Sequence, residues 1–392
     1  MITFIRSLNF NKICIFLFVF VYIGLYYQEY IPIILCSYIL LFLAFAYNVV
    51  RRRNIIYKKY VVICFVFCIY SLFSALWAVS FDDSYNSAIQ LCKSSLVAVC
   101  FITLIDSKEN FKWALFALSL SGIVYAFLYL QNVDISSLSN RRITTEGNNE
   151  FLPNVNTVGL IVCFSFSYFI YKYFLNKKRI FLIFAGLAFV ITSVLGSRKS
   201  IISLFIAILL MSLKLPKAAK VKIVFLLIVL LTLLFLYIPT EYLHFISERL
   251  AHLNFFSSQL NVIDASDEER FHMMEYGIIY CSESPIIGKG YYSFSQLFRI
   301  DYGVAMYSHN NFIEAFVGGG IIGFVLYYNL YYLIVKRVSL KNIQFDNRFL
   351  ILILLAILLF NHIGIVVLQD RFTWLLLAIL YAGSSFYRYR LL

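Results

Sequence analysis

Three residues that could act on a phosphate or a sugar stand beside apolar stretches of this sequence. Arg198 lies in Gly-Ser-Arg-Lys-Ser at 196–200, between apolar runs of 16 and 14 residues. Because a membrane-crossing helix needs about 20 apolar residues, we expect Arg198 and its neighbour Lys199 at or below a membrane interface. A cation at that depth is costly and marks a candidate site for an anion. The alternative is an arginine that extends to lipid headgroups.

A second arginine lies near the start of a predicted helix. The sequence Ser-Asp-Glu-Glu at 266–269 is a capping-box pattern, which predicts a helix from Asp267 to about Ser282, before Pro285. Arg270 would then lie in the first turn, where the partial positive charge of the helix end disfavours a cation. The position becomes favourable if both the helix end and the guanidinium face an anion. The alternative is an ion pair with a neighbouring glutamate.

The third residue is His309, in Ser-His-Asn-Asn at 308–311. A neutral imidazole at a membrane edge can act as a general base near pH 7, and Asn310 beside it could bind substrate. The alternative is a histidine with a structural role only. Three glycines at 318–320 follow in the adjoining apolar run. Small residues allow helices to approach closely, so this run should pack centrally.

The remaining polar clusters carry weaker patterns. Arg141 and Arg142 could provide a second anion contact or form a solvated charge pair. Asp82 and Asp83 could bind a metal, but no third ligand is visible, so helix capping is the preferred interpretation. Seven of the eight cysteines lie in apolar segments and are interpreted as small core residues, and only Cys281 falls in a large loop. The sequence therefore predicts neither a metal site nor a disulfide framework.

The composition requires an explanation other than one buried core. Hydrophobic residues make up 62% of the 392 residues and charged residues 14%, against about 25% charged in a typical soluble domain. The formal charge of +13 could suggest nucleic-acid binding, but the basic residues lie in short clusters between apolar runs. This arrangement excludes a nucleic-acid partner and predicts an all-α membrane protein.

About twelve apolar runs are counted as transmembrane helices, because a chain in a bilayer must satisfy its own backbone polar groups. Three of them, 13–27, 180–195 and 200–213, are short for a span. The predicted spans are 13–27, 31–50, 60–78, 84–105, 111–131, 156–175, 180–195, 200–213, 223–238, 311–335, 349–366 and 372–388. Arg6 and Lys12 precede the first run as in a signal peptide, but no cleavage site follows, so an uncleaved span is predicted.

Basic residues set the orientation. With both termini in the cytoplasm, 22 of the 33 lysines and arginines lie inside and 9 outside, and Lys93 and Lys172 fall within spans. This is the bias that the positive-inside rule requires. The predicted organisation is nine spans in 1–238 with a small outer loop at 131–155, a large outer loop at 239–310 with helices of its own, and three spans in 311–392.

Four sequence patterns, in this order and on this side of the membrane, resemble the O-antigen ligase and O-antigen polymerase superfamily of bacterial envelope polysaccharide assembly. They are the Gly-Ser-Arg-Lys-Ser string, Arg270 opening an outer helix, Ser-Pro-Ile-Ile-Gly-Lys-Gly at 284–290, and Ser-His-Asn-Asn before a glycine-rich span. Trp77 with Asp82 and Asp83, and Pro153-Asn154, also resemble the family pattern.

The resemblance implies inverting, metal-independent glycosyl transfer on the periplasmic side of the bacterial inner membrane, without a cofactor. The donor would be a glycan on undecaprenyl diphosphate. The family's two essential arginines match Arg198 and Arg270, and its essential histidine matches His309. Lys199, Arg141, Arg142 and Asn310 are further candidates for substrate binding, and a chain-length regulator is a candidate protein partner.

The two activities of the superfamily differ in the acceptor. A polymerase adds the chain to another undecaprenyl-linked repeat unit, whereas a ligase transfers it to lipid A–core. The Arg-Lys pair at 198–199 and the two arginine-bearing outer loops favour a polymerase, and a ligase is the alternative. A lipid-linked oligosaccharide flippase should show repeat symmetry and ions at the membrane midplane. A structural scaffold would tolerate loss of the three side chains.

Overall fold

The computed structural model describes residues 9–25, 31–52, 56–132, 155–195, 197–215, 220–221, 265–338 and 346–386, apart from the side chains of Ile31, Arg198 and 265–269. These residues form helices and no strand. The helices are α1 Phe10–Val19, α2 Ile31–Arg52, α3 Lys58–Ser74, α4 Phe81–Ile102, α5 Lys108–Asn132, α6 Val155–Asn176, α7 Arg179–Leu195, α8 Arg198–Ser212, α9 Ala265–Glu283, α10 Ser293–Tyr302, α11 Asn311–Val338, α12 Asn347–Asn361 and α13 Arg371–Ser385.

Six helices, α2 to α6 and α11, are long and apolar enough to cross a membrane. The chain is therefore an all-α membrane protein. Four shorter apolar helices, α1, α7, α8 and α12, accompany them. Helix α13 is buried on all sides, as expected of a helix that is apolar around its whole circumference. Each predicted span except 223–238, which lies outside the described residues, overlaps one of these helices.

One predicted span is shorter in the structure than the apolar pattern suggested. The run 349–366 was expected to be helical throughout, but α12 ends at Asn361. Residues 362–370 then form turns that lead into α13. Two polar residues at the end of α12, Asn361 and His362, contact neighbouring helices. The Asn361 amide donates to Ser203 at 2.8 Å, and the backbone carbonyl of His362 accepts from the Asn311 amide at 2.8 Å.

At the end of the bundle opposite the candidate site, polar contacts join the turns between helices. Arg52 forms an ion pair with Asp106, and the Tyr57 hydroxyl donates to the Ile105 carbonyl at 2.6 Å. On the other side of this end, the Arg337 guanidinium lies 3.9 Å from the centre of the Tyr381 ring. The first two contacts join α2 and the start of α3 to the turn between α4 and α5, and the third joins α11 to α13.

Helices α9 and α10 form a small unit that packs on the first turns of α11. Their contact is a separate apolar core made by Met273, Tyr280, Phe294, Phe298 and Val317. The Tyr280 hydroxyl also donates to Asp301 at 2.6 Å, which ties α9 to α10. This core positions the N-terminal half of α9 beside the start of α11.

Helix α11 is broken at Gly320, where the backbone has φ 57° and ψ −163°. The segment 284–290 fills the break. The amides of Ile321 and Ile322 donate to the carbonyls at 285 and 286, at 2.9 and 3.3 Å. The amides of Lys289 and Gly290 donate in return to the carbonyls at 317 and 318, at 2.7 and 2.9 Å. The break therefore leaves the backbone groups around it hydrogen-bonded, as buried polar groups require.

Two glycines make this exchange sterically feasible. A Cβ at Gly288 would lie 2.5 Å from the Gly320 amide nitrogen, and a Cβ at Gly320 would lie 2.3 Å from the Ile286 carbonyl oxygen. The Tyr70 hydroxyl lies 2.9 Å from the Ile287 carbonyl oxygen and 2.7 Å from that of Gly319, and shares its proton between them. The motif at 284–290 and the triple glycine at 318–320 are thus the two halves of one contact.

Gly320→Ala should destabilise the protein by about 2 kcal/mol or more, because the new Cβ would meet backbone atoms at a conformation that only glycine adopts easily. The measurement is the apparent Tm of the detergent-purified protein, which should fall by about 5 °C.

Gly186→Ala is the matched control. Gly186 lies inside α7, and a Cβ there would meet nothing within 4 Å. Its Tm should stay the same or rise, because alanine favours a helix over glycine by up to about 1 kcal/mol. Equal Tm values for the two variants would contradict the role assigned to the break.

Candidate functional site

Two serines of the Gly-Ser-Arg-Lys-Ser string attach the start of α8 to α6. The Ser197 hydroxyl donates to the Asn156 side-chain oxygen at 2.8 Å, and Ser200 donates to Ser197 at 3.0 Å. Both serines are buried. They face Gly159, where an added Cβ would lie 1.9 Å from the Ser200 hydroxyl oxygen. The serines of the string are therefore packing residues.

Lys199 extends from this anchored start toward the segment after α12. A Cβ added at Gly364 would lie 1.0 Å from the Lys199 ammonium nitrogen. The Lys199 side chain is thus held against the backbone of Gly364, and any other residue at position 364 would displace it. Arg198 begins α8, but its side chain lies outside the described part of the structure. Arg141 and Arg142 also lie outside the described residues.

His309 sits in a tight turn that ends at the start of α11. Its backbone has φ 51°, in the left-handed region that few residues other than glycine occupy. The Asn310 side-chain oxygen caps the helix by accepting from the amides of Phe312 and Ile313, at 2.9 and 3.3 Å. Asn310 can therefore offer a ligand only its amide NH2 group. Strained turns of this kind occur preferentially at functional sites.

Two neighbours complete the turn around His309. The Ser308 backbone amide donates to the buried carboxylate of Glu314 at 3.1 Å, and the Ser308 hydroxyl donates to the Asn310 carbonyl at 2.8 Å. The Tyr307 ring lies 4.1 Å from the His309 ring, centre to centre. The imidazole is therefore held by backbone geometry on one side and by an aromatic ring on the other.

Asn311 connects this turn to the segment after α12. Its backbone amide donates to the His362 carbonyl at 2.8 Å, and its side-chain oxygen accepts from the Val367 amide at 2.8 Å. Its side-chain amide donates to the Tyr328 hydroxyl at 3.0 Å, which in turn lies 3.1 Å from the His362 ring. The sequence analysis did not identify this network. The polar pair at 361–362 inside an apolar run was the available signal.

Arg270 reaches the site from α9. It shares one face of the helix with Met273 and Gly277, because residues three and seven apart stack on the same side. That face packs on α11: a Cβ at Gly277 would lie 2.6 Å from a methyl carbon of Ile313, and Met273 is buried in the small core. The described helix starts at Ala265, so Arg270 lies beyond its first turn. Its guanidinium remains exposed.

The electrostatics of His309 link the three elements. Burial of the imidazole lowers its pKa to about 4, and the positive charges of Arg270 and Lys199 contribute to this shift. His309 is consequently neutral at pH 7 and beside two cations. A neutral imidazole can accept a proton, and neighbouring guanidinium and ammonium groups bind phosphate oxygens. Among the described residues, no group of three His, Cys, Asp or Glu side chains could hold a metal ion.

Residues 180–328 match the protein-family model described as O-antigen ligase. The matched stretch contains Arg198, Arg270 and His309, and the match confirms the resemblance to the O-antigen ligase and polymerase superfamily. It indicates an enzyme of the glycosyl-transfer type that works in a membrane. No curated protein matches the chain.

The low pKa of His309 can be tested through its reactivity with diethyl pyrocarbonate, which modifies a histidine only when its imidazole is neutral. In the wild-type protein without substrate, modification of His309 should stay constant from pH 7 to pH 5 and fall only as the pH drops through about 4. Arg270→Gln removes one positive charge, so the pKa should rise from about 4 toward its ordinary value of 6.5.

Mass spectrometry of the peptide that contains His309 gives the extent of modification. His272, half-buried on the same helix as Arg270, reports reagent activity in the same digest. An identical pH profile for wild type and Arg270→Gln would show that the arginine does not act on this imidazole.

Proposed function

We propose that the protein is an O-antigen, or surface polysaccharide, polymerase that joins undecaprenyl-diphosphate-linked repeat units by inverting, metal-independent glycosyl transfer. The observation that carries the proposal is the electrostatic coupling of neutral His309 with Arg270 and Lys199 at the start of α11. A base beside fixed cations suits a reaction in which a hydroxyl loses a proton while a diphosphate departs.

In the proposed reaction, His309 takes the proton from an acceptor hydroxyl as its oxygen attacks the anomeric carbon of the donor sugar. A new glycosidic C–O bond forms, and the bond to the diphosphate breaks with its electron pair. Undecaprenyl diphosphate then leaves as an anion. Arg198 and Arg270 stabilise the growing charge through their planar guanidinium groups, and Lys199 adds a point charge. Because diphosphate is a good leaving group, the step needs no separate general acid.

The proposed setting is the bacterial inner membrane, with twelve spans and both termini in the cytoplasm. The helices α1 to α8 and α11 to α13 would supply eleven spans, and 223–238 the twelfth. Residues 131–155 and 239–310 would form the periplasmic loops, with α9 and α10 in the larger one. The basic contacts around Arg52 and Arg337 support a cytoplasmic location of the opposite end. Arg141, Arg142 and Asn310 remain proposed substrate contacts, and a chain-length regulator the proposed partner.

A ligase that transfers the finished polymer to lipid A–core is the second candidate, and the description of the matched family favours it. The same base and cations would serve that reaction, since only the acceptor differs. A flippase would need charged groups at the membrane midplane. Cations and a base gathered at the start of a helix fit a surface reaction better.

Deletion of the gene in its native host separates polymerase from ligase. Loss of a polymerase should leave lipid A–core carrying a single repeat unit, whereas loss of a ligase should leave core without any antigen. The measurement is the banding pattern of extracted lipopolysaccharide on a gel, with the plasmid-borne gene restoring the wild-type ladder. Core without antigen would overturn the polymerase assignment in favour of the ligase.

Substitutions at the site test the mechanism. His309→Ala should lower transfer at least about 100-fold, the usual contribution of a general base. Arg270→Lys should lower it by about tenfold or more, because an ammonium group cannot reproduce the bidentate grip of a guanidinium. Transfer is measured on purified protein in nanodiscs with a synthetic lipid-linked repeat unit.

Arg299→Lys is the matched control for the arginine. Arg299 is exposed in the last turn of α10, on the same unit as Arg270, and its replacement should leave transfer unchanged. Full activity in His309→Ala would remove the histidine from the mechanism. Equal losses of transfer activity in Arg270→Lys and Arg299→Lys would mean that the α9–α10 unit as a whole is required, and not the guanidinium group of Arg270 in particular.

A further inference from the structure

A cavity of about 590 Å3 adjoins the His309 turn. Its wall is formed by Tyr22 and Ile23 just after α1, by α4, α5 and α6, and by the segment 366–372. Tyr291 and Tyr292 before α10, Tyr307 before α11 and Glu314 in the first turn of α11 complete it. Tyr307 also stacks against the His309 ring at 4.1 Å, and Glu314 accepts from the Ser308 amide. The cavity is therefore next to the proposed base, and its volume lies within the roughly 300–1,000 Å3 of small-molecule sites.

The groups around this cavity suit a sugar. Tyrosine rings and aliphatic side chains alternate with hydroxyl, amide and carboxyl groups, among them Ser87, Gln90, Tyr125, Thr157, Tyr292 and Asp370. Aromatic faces pack against the C–H side of a pyranose ring, and amides and carboxyls bind its hydroxyl groups. A lipid chain is a poor occupant, because it cannot hydrogen-bond to the side chains of Gln90, Thr157 and Tyr292.

The charge of the wall argues against an anion. Glu314 is only 6% exposed, and the Asp370 carboxylate caps α13 through the Thr373 amide at 2.7 Å. Arg371 is the one cation among the lining residues, and its guanidinium lies 5.6 Å from the centre of the Tyr22 ring. A carboxyl group accepts from a sugar hydroxyl when ionised and donates to it when protonated, whereas an ionised carboxylate repels a phosphate or a uronate.

The wall formed by residues 368–370 is held in place by side chains from α4 and α13. The Ser94 hydroxyl donates to the Gln369 carbonyl at 2.9 Å, and the Gln369 side-chain amide donates to Ser87. The Trp374 ring nitrogen also donates to the Leu368 carbonyl at 2.7 Å. The segment from Leu368 to Asp370 is thus fixed before any ligand arrives, which lowers the free-energy cost of ordering a site on binding.

We propose that this cavity is the acceptor-sugar subsite, and that it holds the uncharged terminal sugar of the acceptor glycan with its nucleophilic hydroxyl directed at His309. The assignment rests on the proposed glycosyl transfer. It divides the substrates by charge: the donor diphosphate binds the cations at Arg270 and Lys199, and the neutral acceptor sugar binds the carboxyl- and tyrosine-lined cavity on the Tyr307 side.

The test uses the full-length protein in nanodiscs, the lipid-linked repeat unit as donor, and an alkyl glycoside of the repeat unit as acceptor. The alkyl glycoside carries no diphosphate, so acceptor and donor constants are measured separately. The double variant Gln90→Ala/Thr157→Val removes two polar groups from the wall. It should raise the acceptor KM at least tenfold and change kcat and the donor KM less than threefold. Gln131→Ala, at the exposed end of α5, should change neither constant.

A second acceptor tests the charge argument. Oxidation of the terminal sugar to a uronic acid should lower kcat/KM at least tenfold with the wild-type protein. If the double variant does not remain monodisperse in size-exclusion chromatography, the isosteric Thr157→Val alone replaces it, with a threefold rise in acceptor KM expected.

The outcomes separate the two proposals. Full activity of His309→Ala would overturn the proposed function itself. If His309→Ala is inactive but the wall variants raise the donor KM, or leave the acceptor KM unchanged, the glycosyl transfer stands and the subsite is wrong. Equal use of the neutral and the uronic acid acceptor would likewise overturn the subsite.

Discussion

The candidate site depends on one backbone contact, the exchange of hydrogen bonds between the broken helix α11 and the segment 284–290. A helix that is interrupted at membrane depth exposes amides and carbonyls that lipid cannot satisfy. Here a second piece of main chain satisfies them, and the absence of a Cβ at Gly288 and Gly320 lets the two backbones meet. The same contact sets the position of α9 against α11. It therefore determines how far Arg270, on α9, lies from His309, at the start of α11.

The cations that would bind a diphosphate also lower the pKa of the proposed base, His309. Together with burial, Arg270 and Lys199 make His309 a weak base in the free protein, because a positive charge on the imidazole would face two others. A bound diphosphate would offset those charges and let the pKa rise. The imidazole would then gain basicity when the donor is in place, and would stay neutral while the site is empty. In the proposed mechanism, binding of the donor and activation of the acceptor are therefore linked, because the charges of Arg270 and Lys199 both bind the diphosphate and set the pKa of His309.

The sequence predicted the helical class and the order of the apolar helices, and its assignment of site residues stays a prediction. Those predictions rely on local patterns: run length for the helices, and unusual cations or a histidine at their ends. Two features escaped this reasoning. The motif at 284–290 and the glycines at 318–320 were each noticed, but nothing in either predicts that one inserts into the other. The cavity was not predicted either, because Gln90, Tyr125 and Thr157 lie on three helices with no common spacing. Periodicity indicates which face of a helix is polar, but not which other helix that face will meet.

A polymerase has to distinguish two substrates that both carry a lipid diphosphate. The chemistry offers a way to do so, since the donor reacts at the sugar attached to its diphosphate, whereas the acceptor reacts at the far end of its glycan. A site with cations on one side of the base and carboxyl groups on the other exploits that difference. A diphosphate would be attracted to Arg270 and Lys199, while an uncharged terminal sugar can hydrogen-bond to the carboxyl groups of Glu314 and Asp370 in either protonation state. Two copies of the same lipid-linked unit could then bind in only one productive arrangement, and the growing chain would always be transferred from its own diphosphate to the new unit.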